Sequence, residues 1–136
     1  MKKIVLISCV KKKRPVPCAA IDFYDSPWFQ KARDYGSSLH PDEIYILSAK
    51  YGLARADQML CPYDETLNAM NSMQRKAWAE KVLAQMKNAG IDFNDEVIFL
   101  AGQKYRENLI QKFANAVVPL RGLGIGKQLQ FMKNRI

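Results

Sequence analysis

Four apolar runs punctuate the chain: Ile4-Val5-Leu6-Ile7, Ile44-Tyr45-Ile46-Leu47, Val97-Ile98-Phe99-Leu100 and the shorter Ala116-Val117-Val118. They are continuous rather than alternating. That pattern predicts strands buried on both faces, as in a parallel sheet covered by helices. Helical spacing fills the intervals. Asp25-Ser26-Pro27 offers a capping residue followed by proline at the first helical position. Phe29, Ala32, Gly36 and Leu39 then recur on one face. A second helix is predicted from about Asn71 to Asn88, with Trp78, Ala79, Val82, Leu83 and Met86 inward and Gly90 as its stop. A third follows Gly102, with Tyr105, Leu109 and Phe113 in register, and a fourth follows Gly126, with Leu129, Met132 and Ile136.

The order strand-helix repeated four times predicts one α/β domain over residues 1–136. The expected architecture is a three-layer sandwich around a four-stranded parallel sheet with right-handed crossovers. There is no internal repeat, low-complexity segment or linker. The stretch from about Lys50 to Asn68 is long for a loop in a compact domain, and such loops are often functional.

Composition narrows the class. With 136 residues, 49% of them hydrophobic, the chain can bury its own core without disulfides. Cys9, Cys18 and Cys61 are odd in number and form no CxxC pair, and His40 is the one histidine. Neither a disulfide framework nor a zinc site is predicted, and no metal or organic cofactor. No apolar run reaches the ~20 residues of a membrane span. Ile4 to Ile7 is too short for a secretory h-region, so the expected location is the cytoplasm.

The net charge of +8 is unevenly spread. Lys2, Lys3, Lys11, Lys12, Lys13 and Arg14 fall in the first 21 residues without an acid among them. Lys112, Arg121, Lys127, Lys133 and Arg135 follow Glu107, again without an acid. If the fold joins these ends, the positive surface suits phosphates, and a nucleic acid or nucleotide is the expected partner.

Ligands of open α/β sheets bind outside the carboxyl ends of the strands. Those ends carry Ser8, Cys9, Lys11 and Lys13; Ser48, Lys50 and Tyr51; Gly102 and Tyr105; and Gly122, Gly124, Gly126 and Lys127. Lys11 and Lys13 fit phosphate contact, or a solvated loop. The glycines and Lys127 fit a phosphate held on backbone N–H groups at a helix start, or a plain turn. Cys9 is either a nucleophile activated by lysines or a small core residue. Lys50 suits charge stabilisation, and Tyr51 base stacking. Asp57 and Asp64 in the long loop are the acid–base candidates, suited to activating water or stabilising a cationic sugar. His40 precedes its strand, at the opposite edge, which argues against a Ser-His-Asp triad.

Taken together, Ser8-Cys9-x-Lys11-x-Lys13, Phe23-Tyr24-x-Ser26-x-x-Phe29, Leu47-Ser48-Ala49-Lys50-Tyr51-Gly52-Leu53, Pro62-Tyr63-Asp64, Trp78 and Leu100-Ala101-Gly102-x-x-Tyr105 resemble a family of small bacterial and phage-type domains of unknown function. The resemblance covers nearly the whole chain. More distantly, the first block is similar to the Pro-Cys-Ser-x-x-Lys-Pro-Tyr motif of the archaeosine synthase catalytic domain, which modifies a deazaguanine base in tRNA. Cys9 stands at its Cys, Lys13 at its Lys and Val10 at its Ser, while Tyr24 and Ser26 match its later Tyr and Ser only after an insertion. Phe29 stands near the place of its His. That resemblance implies a uracil-DNA glycosylase-like fold and a modified base, in DNA, RNA or a nucleotide, as the substrate neighbourhood. The glycosylases' water-activating motif and catalytic His loop are missing, so uracil excision is not implied. The resulting expectation is a base-processing enzyme, glycosylase-like or base-modifying. A non-catalytic nucleic-acid-binding module and an enzyme of free nucleotides are the alternatives.

Overall fold

A computed structural model describes all 136 residues. The chain opens with β1 (Lys3–Ser8), then β2 (Cys18–Ala19), the single turn α1 (Ala20–Phe23) and α2 (Pro27–Ser38). Next come β3 (Glu43–Ser48), β4 (Gly52–Arg55), β5 (Met59–Leu60) and α3 (Ser72–Asn88). It closes with β6 (Glu96–Leu100), the single turn α4 (Gln103–Arg106), β7 (Asn115–Val117) and α5 (Ile125–Lys133). The main sheet has the order β4-β3-β1-β6-β7, and β2 pairs with β5 in a separate two-stranded ribbon.

All four apolar runs form strands, and β1, β3, β6 and β7 are mutually parallel. The sheet is nevertheless five-stranded and mixed, not four-stranded and parallel. β4 runs antiparallel to β3, with Ser48 opposite Gly52 and Tyr45 opposite Arg55. Its apolar content is too short to stand out in sequence. Gly52, at φ +73°, lets the chain double back so tightly. A Cβ there would meet the Gln85 side-chain amide and force it to move.

Crossover handedness sets the layers. The chain moves from β1 outward to β3, then back across β1 to β6. Right-handed connections in opposite directions put α2 and α3 on opposite faces. α2 shares its face with α5, and Gly36 brings α2 so close that a Cβ there would lie 3.0 Å from Val5 Cγ1. α3 packs along β4 and against α4. Ile4, Val5, Leu6 and Ile7 are fully buried between the two layers.

The helix ends follow their local chemistry. Ser26 Oγ accepts the Phe29 N–H, with Pro27 at the first helical position. Asn71 and Gln74 form a reciprocal capping box at the start of α3. The helix expected after Gly102 is a single turn, followed by a 3₁₀ turn at Ile110–Lys112. Tyr105, Leu109 and Phe113 are all buried even so. α5 begins at Ile125, so Gly126 lies inside its first turn rather than before it. No helix is long and apolar enough to cross a membrane.

Candidate functional site

The strand order reverses at the β1/β6 pair, and the loops leaving these two neighbours part in opposite directions. The crevice they leave is where open α/β sheets bind ligands. Two adjoining cavities of about 410 and 520 Å³ occupy it, sharing Cys9, Asn68 and Tyr105 as a common wall. The first lies between the β1 loop (Val10, Lys11, Lys13) and the segment Asp64-Glu65-Thr66. The second extends over Ser8, Arg75, Gly102, Gln103, Lys104 and Glu107.

The β1 loop is held from beneath. Lys13 bridges Tyr24 in backbone register, and its ammonium donates to the Lys11 carbonyl at 3.0 Å. The same ammonium stands 4.5 Å from the centre of the Tyr63 ring, a cation–π contact that fixes it at the cavity mouth. Lys11 is exposed and free to reach a ligand. Asp64 and Glu65, both exposed, face these lysines across the cavity.

Buried hydroxyl groups and the Cys9 thiol lie beneath the crevice, and of these residues Cys9 and Tyr105 line the two cavities. Ser48 Oγ donates to Tyr63 Oη at 2.8 Å, and Tyr63 and Tyr24 share a hydrogen bond of 2.5 Å. Cys9 Sγ donates to Tyr105 Oη at 3.3 Å, and the Leu67 N–H reaches the same oxygen at 3.4 Å. Tyr105 stands edge-on to Trp78, whose indole N–H donates to the Ser48 carbonyl. Burial, with Cys9 nearby as the next cause, pushes the Tyr24, Tyr63 and Tyr105 phenols far above the usual tyrosine range. At neutral pH all three are therefore proton-bearing hydrogen-bonding groups rather than bases.

The second cavity rests on an ion pair. Arg75 Nε donates to Glu107 Oε1 at 2.7 Å, and Arg75 Nη1 to the Met70 carbonyl at 2.8 Å. Both side chains are mostly covered, at 17% and 27% exposure. The carboxylate is thereby held in one orientation.

The structure thus brings Ser8, Cys9, Lys11, Lys13, Asp64, Gly102 and Tyr105 to the crevice. Ser48 lies beneath it, fully buried. Tyr51 is half-buried, its hydroxyl accepts the Cys61 N–H at 3.0 Å, and it lines neither cavity. Lys50 is exposed, 5.5 Å from the Tyr51 ring, and lines neither cavity. Asp57 is placed elsewhere: β4 carries the chain away from the strand ends, and Asp57 pairs with Arg55 in solvent, its side chain 86% exposed. Gly122, Gly124, Gly126 and Lys127 line neither cavity. A Cβ at any of those three glycines would meet nothing within 4 Å. Asn68, Arg75, Gln103 and Glu107 were not singled out from sequence, because isolated polar residues on loops and helix faces carry no pattern there. No three His, Cys, Asp or Glu side chains converge as a metal site would require.

Residues 4–134 match a family of unknown function, DUF6884. The uncharacterized protein YfjM of Bacillus subtilis (strain 168) is 32% identical over 152 aligned positions, which span all of this chain and 96% of that protein. A match over nearly the whole length and a full-length relative place the chain in the DUF6884 family.

Proposed function

We propose that the crevice between the β1 and β6 loops binds a nucleotide unit, free or within a nucleic acid, and that the protein acts on its base or glycosidic bond. The observation that carries this reading is the first cavity, where Lys11 and Lys13 face Asp64 and Glu65 across about 410 Å³. Lysines facing carboxylates across one cavity divide a ligand between an anionic part and a reacting part. Lys11 and Lys13 hold a phosphate, and Asp64 activates water or steadies positive charge on the sugar. The uracil-DNA glycosylase-like relationship suggested by the sequence motifs belongs to the same proposal, as does a base drawn out of its stack into the cavity.

The test is a titration against single-stranded DNA, duplex DNA, tRNA and nucleoside monophosphates at several salt concentrations. The unmodified chain is compared with a Lys11→Glu, Lys13→Glu variant. Each duplex phosphate contact should steepen the log–log salt slope by roughly 0.9. A slope that falls by about two contacts in the variant supports the reading. Absence of binding to every polymer and every nucleotide refutes it. On a ligand that binds, Asp64→Asn should cost roughly 10²-fold in turnover with binding retained.

A second reading, a non-catalytic nucleic-acid-binding module, draws on the exposure of Lys11, Lys12 and Arg14 along one loop. It predicts the same salt slope with no turnover and no competition from a mononucleotide.

A further inference from the structure

Resting on the nucleotide reading above, we propose that the second cavity is a base-recognition subsite. We further propose that Glu107 makes it select bases bearing an exocyclic amine. Three observations converge there. The two cavities share Cys9, Asn68 and Tyr105, so a ligand with its phosphate at Lys11 and Lys13 extends naturally into the second. Arg75 occupies Glu107 Oε1 and leaves Oε2 without a hydrogen-bond partner in the chain. The side-chain amides of Asn68 and Gln103 are likewise unengaged and border the same space.

Their chemistry sorts ligands. A carboxylate oxygen only accepts, so it rewards an N–H₂ group and penalises a carbonyl in the same place. Amides carry both a donor and an acceptor and pair with base edges generally. Amides alone would give a tolerant subsite, and an added carboxylate, fixed by Arg75, makes it discriminate. Lys104 lines the same cavity and is exposed.

The experiment compares ligands that differ at one exocyclic amine: guanine against hypoxanthine, which lacks it, and cytosine against uracil, which has a carbonyl in its place and a proton on N3. Each is supplied as a monophosphate and at a fixed place in one single-stranded oligonucleotide. At least one amine-bearing partner should bind about tenfold more tightly than its match. In Glu107→Gln, which keeps an oxygen for Arg75 Nε, the preference should shrink to about threefold or less. Inorganic phosphate should compete equally well against both proteins. A merely structural Glu107 would weaken both members of a pair together and leave their ratio unchanged, which overturns the proposal. Equal affinity within every pair, with Lys11→Glu still weakening all ligands, overturns the subsite and leaves the nucleotide reading standing. Failure of every nucleotide to bind overturns both.

Discussion

Tyr63→Phe probes the buried hydroxyl network most directly. The substitution keeps the ring that carries the Lys13 contact and removes one oxygen. That oxygen serves both Ser48 Oγ and Tyr24 Oη. Ser48 is fully buried and Tyr24 is 3% exposed, so neither group finds water in compensation. Ser48 Oγ still accepts the Tyr51 N–H, but its own proton is left without an acceptor. A buried polar group stripped of its partner costs about 1–3 kcal/mol. Two such groups, partly relaxed, predict a loss of about 3 kcal/mol. With a urea m value of about 1.5 kcal/mol/M, the unfolding midpoint should fall by about 2 M with m unchanged. Adding Tyr24→Phe removes one of the two stranded hydroxyls. The double variant should therefore be at least about 1 kcal/mol more stable than the sum of the single losses predicts. A loss below about 0.5 kcal/mol for Tyr63→Phe, or strict additivity in the pair, would refute the network as a stabilising unit.

Alkaline titration addresses the same groups. Burial raises the Tyr24, Tyr63 and Tyr105 phenols, and raises Tyr45 to about 12 with Glu43 as a further cause. The unfolded chain releases these protons near pH ~10 while the folded chain keeps them. Stability from this source is complete below pH ~10 and should decline as the pH rises beyond it, seen as a falling urea midpoint. Gly52→Ala forces a left-handed residue and displaces Gln85, which holds the Leu53 N–H and the Tyr51 carbonyl. Strain of about 1–2 kcal/mol and two hydrogen bonds of about 1 kcal/mol each predict a loss near 3 kcal/mol in chemical denaturation. Asp57→Asn, by contrast, removes an exposed ion pair and should change stability by less than about 0.5 kcal/mol. It should also leave ligand binding intact, and a large effect on either would return Asp57 to the site.

Residues whose environment is uniform were legible in the sequence. Ile4 to Ile7 and Val97 to Leu100 are apolar throughout because helices cover both sides, and the strands follow from that alone. The ends of these strands then named Ser8, Cys9, Lys11, Lys13, Gly102 and Tyr105 as neighbours. Asp57 and Asp64 were indistinguishable by the same logic, since both sit in one polar stretch. What separates them is a reversal of chain direction at β4, which rests on a tight glycine turn and only Leu53 and Ala54 as buried apolar content. Glu107 and Arg75 lie 32 residues apart in sequence. Each alone looks like an ordinary surface charge, and only the contact between α3 and the end of α4 makes them a pair.

The position of β1 at the centre of the sheet bears on how the chain acquires its shape. It is made before both of its hydrogen-bonding partners, Glu43–Leu47 on one side and Glu96–Leu100 on the other. Until β6 has been made, this apolar strand therefore stands with one edge open, a state prone to association. The second cavity inherits the same separation, because Ser8 and Cys9 follow β1 whereas Gly102, Gln103, Lys104 and Glu107 follow β6. No contiguous half of the chain contains both. That second cavity is therefore complete only once β6 has closed on β1.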